Sequence, residues 1–165
     1  MRAKLSFSGS TVTDAMLRLS AADFRPAMED ALTRAGDALV KRLQESADAH
    51  HGGGSGRMRD AIRARKPSVN VAAGSGLINV ALDDKPVWTR GGVTRRGNKR
   101  KGIERKGSPK RTWSMLDQGA ELNYGSSRVE ASRWFDEGVE KAEDEVFDIL
   151  RETLDEWIAA SVRGA

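Results

Sequence analysis

His50 and His51 are the only histidines in this chain of 165 residues, and they are adjacent. Successive residues on a helix point about 100° apart, so this pair is poorly placed to share one metal ion, unlike the i, i+4 histidines of a zinc protease. The glycine-rich run 52–56 comes directly after a helical pattern and lacks the Lys-Ser/Thr ending of a nucleotide-binding loop, so it is not expected to cradle phosphate. The chain has no cysteine, which excludes a disulfide framework and a thiolate metal site. No serine, histidine and acid stand in a recognisable nucleophile setting. Asp136, Glu137, Glu140, Glu143, Asp144 and Glu145 crowd one helix-like stretch, a pattern typical of a solvated or partner-facing surface rather than an acid–base pair. The expectation is therefore a protein without catalytic residues, metal or cofactor, and not an enzyme.

The side chains with most chemical potential are basic. Residues 89–113 hold ten Lys/Arg and a single acid, Glu104, a net +9, whereas residues 114–165 hold thirteen acids and five bases. Arg95, Arg96, Lys99, Arg100, Lys101, Arg105, Lys106, Lys110 and Arg111 are the candidate contact residues. A block of this density can neutralise phosphates in a salt-dependent manner. It can equally meet an acidic protein surface, including the acidic C-terminal part of another copy. Aromatic residues lie only at its borders, Trp88 and Trp113, which argues against base stacking and sequence-specific recognition of single strands. Both readings stay open on the sequence: polyanion contact, and, favoured over it, subunit contact or a merely solvated loop.

The elements that would carry these residues follow from periodicity. A length of 165 residues suits one domain. The N-terminus has no apolar core of a secretion signal, and no apolar run approaches the roughly 20 residues that span a bilayer. Residues 4–8 alternate as a short strand, and 14–19 form a turn or two of helix. Ser20 and Asp23 resemble a capping box that opens a long helix over 21–49. Phe24, Met28, Ala31, Leu32, Ala35, Leu39 and Leu43 are its apolar stripe, and Pro26 is tolerated in its first turn. Glycines at 52–54 and 56 end that helix, and Ser55 is positioned to cap a short segment with Met58 and Ile62 on one face. Residues 68–72 and 77–82 alternate as a β-hairpin around 73–76. Lys85 to Trp88 extend the second strand or begin a third. Residues 89–112 abandon periodicity and are expected to form a long basic mobile loop, with Trp88 and Trp113 as cross-strand neighbours at its base. Residues 113–117 read as a returning strand ended by Gln118-Gly119. A second long helix carries Phe135, Val139, Ala142, Val146, Ile149 and Thr153, widened by Leu150, Leu154, Trp157 and Ile158. The fold class is α+β: an antiparallel sheet of three to five strands packed against two long helices.

Three short motifs, in this order, resemble a known family. They are Ser55-Gly56-Arg57-Met58-Arg59-Asp60-Ala61-Ile62, then Trp113 to Gly119 with its Asp117-Gln118-Gly119 ending, then Ala131-Ser132-Arg133-Trp134-Phe135. Together with the order of elements they are similar to the tail-component family of tailed bacteriophages, the small head–tail joining (neck) proteins of long-tailed phages. Gly56, Arg57, Arg59, Asp60, Asp117, Gly119 and Phe135 are the family-like positions. Trp134 stands where the family usually has proline, residues 48–54 replace an Ala-Pro-Val-Asp-Thr lead-in, and the basic loop is enlarged. The resemblance implies a structural virion protein of the head–tail connector. Its copies would form a hexameric or dodecameric ring between portal or adaptor and tail-tube or terminator proteins. It would assist tail attachment or completion and DNA passage, be assembled in the bacterial cytoplasm, and touch phage DNA at most non-specifically, with no membrane partner. The station in the neck (stopper, tail completion or terminator) stays open, and a nucleic-acid-binding module using the basic loop is the alternative.

Overall fold

A computed structural model of the chain describes residues 1–51, 57–83, 86–90, 111–127 and 129–164. It has an α+β fold in which α2 lies between an antiparallel sheet and α5. Strand β1 (Arg2–Phe7) is followed by α1 (Ser10–Arg18) and the long α2 (Ala21–His51). A single turn of helix, α3 (Arg57–Ala61), leads into β2 (Ile62–Ala64), β3 (Ser68–Asn70) and β4 (Ser75–Leu82). Strands β5 (Pro86–Arg90) and β6 (Arg111–Ser114) precede α4 (Met115–Tyr124) and the C-terminal α5 (Trp134–Gly164).

Strand β4 is the centre of the main sheet. It pairs antiparallel with β1 along one edge, Arg2 opposite Ala81 through Phe7 opposite Gly76. Its other edge is shared by β2 and β3. The expected hairpin between residues 68 and 82 is present, but its turn comes earlier than alternation suggests. Asn70 Oδ1 accepts the N–H of Ala73 at 3.1 Å, so Val71 and Ala72 belong to an Asx-type turn rather than to the strand. β5 and β6 form a separate two-stranded ribbon in which Trp88 faces Trp113 and Arg90 faces Arg111, the cross-strand pairing expected of the tryptophans. Residues 89–90 and 111–112, expected in the loop, are strand.

Ser20 opens α2 as a cap should. Its Oγ accepts the N–H of Asp23 at 3.2 Å and its hydroxyl donates to the Asp23 carboxylate at 2.6 Å. The α2 stripe is buried as its spacing requires: Phe24, Met28, Ala31, Leu32, Ala35, Leu39 and Leu43 are each at most 1% exposed. It packs on β2, β3 and β4 and, along its length, on α5. From α5 come Phe135, Ala142, Val146, Leu150, Thr153 and Leu154, all buried. Val139, Ile149, Trp157 and Ile158 close over that core.

One expected element is corrected. Met115, Leu116 and Asp117 do not continue the returning strand; they begin α4. Gly119 therefore sits in a helix, not at a strand end. A Cβ there would overlap Leu82 Cδ1 and come within 3.6 Å of Trp134. The absent side chain is what lets α4 close on β4 and on the start of α5.

Candidate interaction surface

The two long helices run antiparallel and are joined by a polar seam beside their apolar one. Trp157 Nε1 donates to Asp30 at 3.0 Å. Arg34 bridges Asp30 at 3.1 Å and Glu156 at 3.0 Å. Arg42 bridges Glu145 at 2.6 Å and Glu45 at 2.9 Å. Ser46 donates to the carbonyl of Trp134 at 2.7 Å, and His50 Nε2 lies 3.1 Å from Glu137. Both guanidinium groups are held above their ordinary, already high pKa. The largest cause is the hydrogen bond to Asp30 for Arg34 and to Glu145 for Arg42. The Glu137 carboxyl is held below the usual carboxylate range, first by the hydrogen bond from His50.

The family-like residues do not form one cluster. Gly56 lies outside the described residues, and Arg57 opens α3. Arg59 is exposed and pairs with Asp48 at 3.4 Å and Asp60 at 3.7 Å. Asp117 is exposed in the first turn of α4. Gly119 and Phe135, by contrast, are brought together at the α4–α5 junction. There Trp134 is fully buried, donates from Nε1 to the Gly119 carbonyl at 3.3 Å, and meets the Phe135 ring edge-on with centroids 5.4 Å apart. Asn123, fully buried, completes the junction. Its Oδ1 accepts the Phe135 N–H at 2.8 Å and its Nδ2 donates to Asp136 at 3.1 Å. It is the N-cap of α5 supplied from another helix. Arg133, just before, has φ +52°. Sequence reasoning missed Asn123, since no local cap pattern marks it.

Of the candidate basic residues, Arg95, Arg96, Lys99, Arg100, Lys101, Arg105, Lys106 and Lys110 lie outside the described residues, and Arg111 opens β6. The ribbon β5–β6 is the base from which the block departs and to which it returns. The surface of opposite sign is the outer face of α5. There Glu140 pairs with Arg133 and Asp148 with Arg151, while Glu143, Asp144, Glu152 and Asp155 are exposed and make no ion pair among the described residues.

No group of His, Asp and Glu among the described residues is arranged to hold a metal ion. No helix among them is long and apolar enough to cross a membrane. No known protein family, curated protein or solved structure matches the chain. What the described residues offer is an acidic outer face on α5.

Proposed function

We propose that this chain is a structural protein of the head–tail connector of a long-tailed phage. Its copies form a ring between portal or adaptor and tail-tube or terminator proteins, and the ring helps tail attachment or completion and the passage of DNA. The observation that carries the reading is the separation of charge. A ring requires a heterologous interface, in which one face of a subunit meets a different face of its neighbour. The basic block that lies between β5 and β6 in sequence and the acidic outer face of α5 are the candidates for two such faces. The order of the Arg57–Asp60, Asp117–Gly119 and Arg133–Phe135 segments supports the same family, and the buried Gly119–Trp134–Phe135 junction gives the last two a structural reason to be linked. On this reading the protein acts in the virion neck, is assembled in the host cytoplasm, and has no enzymatic role.

Deleting the gene from its phage tests the proposal. Filled heads and finished tails should accumulate unjoined, and purified protein should restore joined, infectious particles. Particles that join normally without the protein would overturn it. The density of positive charge favours a second reading, a nucleic-acid-binding module. It would declare itself as a monomer that binds DNA with an affinity falling steeply with salt.

A further inference from the structure

Alternation sorts the side chains of the main sheet onto two faces. Positions 76, 78 and 82 of β4 face the helices: a Cβ on Gly76 would meet Leu32 and Met28, Ile78 lies against Gly36, and Leu82 lies against Gly119. Leu77, Asn79 and Ala81 therefore point the other way, and the register carries their neighbours with them. Arg2 and Arg63 stand on either side of Ala81. Lys4 stands beside Asn79. On the far side Arg65 continues β2 by one pair, its N–H donating to the Asn79 carbonyl at 2.8 Å. All four cations are exposed.

This face holds its positive charge differently from the helices. Arg34, Arg42, Lys141 and Arg151 of α2 and α5 are ion-paired. Arg2, Lys4 and Arg65 make no ion pair among the described residues, and Arg63 has Asp83 at 3.8 Å. Lys4, at the edge of the sheet, also borders a groove with Glu143 but is not ion-paired to it. Successive outward positions on a strand are about 6.8 Å apart, and two strands with a third between them about 10 Å apart. The four cations thus stand at the corners of a rectangle of roughly 7 by 10 Å. Asn79 lies between Lys4 and Arg65, and Ser6 and Ser68 flank Leu77 in the next row.

Composition selects the partner. A protein interface has an apolar or aromatic centre from which charge is depleted, whereas here charge and amide hold the centre and Leu77 is the one large apolar side chain on the outward positions. Single-stranded nucleic acid is gripped by aromatic platforms, and these positions carry none. Arg, Lys, Asn and Ser are side chains that contact phosphate and sugar without reading bases. Duplex DNA presents one phosphate per about 1.7 Å of axis, dense enough to meet all four cations. We propose that the outer face of the β1–β4–β2 sheet binds the phosphate backbone of duplex DNA, with Arg2, Lys4, Arg63 and Arg65 as the phosphate contacts and Asn79 as a neutral donor between them. The proposal depends neither on ring closure nor on the basic segment 95–111.

The test uses the full chain and a short DNA duplex in two unrelated sequences. One variant carries Arg2→Ser, Lys4→Ser, Arg63→Ser and Arg65→Ser. A control loses the same charge from the helices, through Arg18→Ser, Lys41→Ser, Lys141→Ser and Arg163→Ser, all exposed. Circular dichroism checks that both keep the wild-type melting curve, and fluorescence anisotropy follows binding between about 50 and 200 mM salt. The sheet variant should bind at least about tenfold more weakly at the lowest salt, on both sequences alike, and its plot of log affinity against log salt should be shallower than wild type by about 3 to 4. The control should keep a slope within about 1 of wild type. A sheet variant that matches the control, or wild type without binding at low salt, would overturn the proposal. So would a sheet variant that binds DNA like wild type but loses self-association in sedimentation, which would give the face to a second copy. A footprint on wild type serves if the sheet variant does not fold: duplex should shield Lys4 from acetylation and leave Lys41 reactive, and equal reactivity of Lys4 with and without DNA refutes the contact. Failure here leaves the ring reading to the gene-deletion experiment.

Discussion

Replacing Asn123 by alanine should cost far more than its short side chain suggests. The Phe135 N–H lies in the first turn of α5, where no intrahelical acceptor exists, and Phe135 is only 5% exposed. Losing the 2.8 Å bond to Asn123 leaves that donor buried and unpaired, at about 1–3 kcal/mol. Asp136 is partly exposed, so water can replace the amide it loses. The expected net loss is about 2 kcal/mol. With a slope of roughly 2 kcal/mol per molar urea, that is a fall of about 1 M in the midpoint, followed by far-UV circular dichroism. A paired exchange isolates the cause. Asn123→Asp alone retains the acceptor for Phe135 but sets a carboxylate against Asp136, and should be at least as damaging as alanine at pH 7. Adding Asp136→Asn reverses donor and acceptor and should recover more than half of the loss. An alanine variant within about 0.2 M of wild type, or an exchange without recovery, would refute the inter-helix cap.

Three further outcomes are expected. Gly119→Val should cost about 2 kcal/mol or more, because its Cβ overlaps buried Leu82; an unchanged midpoint in urea would contradict the close α4–β4 approach. Val146→Asp, at a site 1% exposed, buries an unpaired charge and should abolish folding, so a soluble variant with the wild-type melting temperature would remove the α5 core assignment. Glu137 has a lowered pKa in the folded state, so its contribution is present above the unfolded carboxylate value of about 4.3 and is lost as pH falls through its folded value. The stability gap between wild type and Glu137→Gln should therefore be present above that unfolded value and shrink as pH falls below it; a gap that does not change with pH on the acid side counts against the His50–Glu137 contact.

What was readable in the chain is what depends on neighbours in sequence. The stripe from Phe24 to Leu43 and the Ser20 cap are local patterns, and α2 follows them residue by residue. The register of β5 and β6 sets Trp88 opposite Trp113, as expected. β2 escaped because three residues with Arg63 in the middle carry too little alternation. α4 was misread because Gly119 looks like a terminator, and only the approach of Leu82 from β4 explains a glycine inside a helix. Asn123 was invisible for the same reason: it caps a helix that starts eleven residues later, and that relation exists only after folding. Of the candidate contact surface, the basic half was legible as composition. The outer face of the sheet was not, since Arg2 and Arg63 become neighbours only through β4.

The antiparallel seam between α2 and α5 has a consequence for how the chain is made. Leu43 leaves the ribosome roughly one hundred residues before Leu150, which shares its core. At about 5–20 residues per second, the apolar side of α2 waits on the order of 5–20 s for the helix that covers it. During that interval the sheet can shield only part of the stripe, and the seam's arginines have no carboxylates from α5 to meet. Nascent chains at this stage are the ones most exposed to mutual association. A chain stalled before Trp134 would present α2 packed on the sheet but bare along the side that α5 covers, so the last thirty residues described close the core that the earlier elements only half enclose.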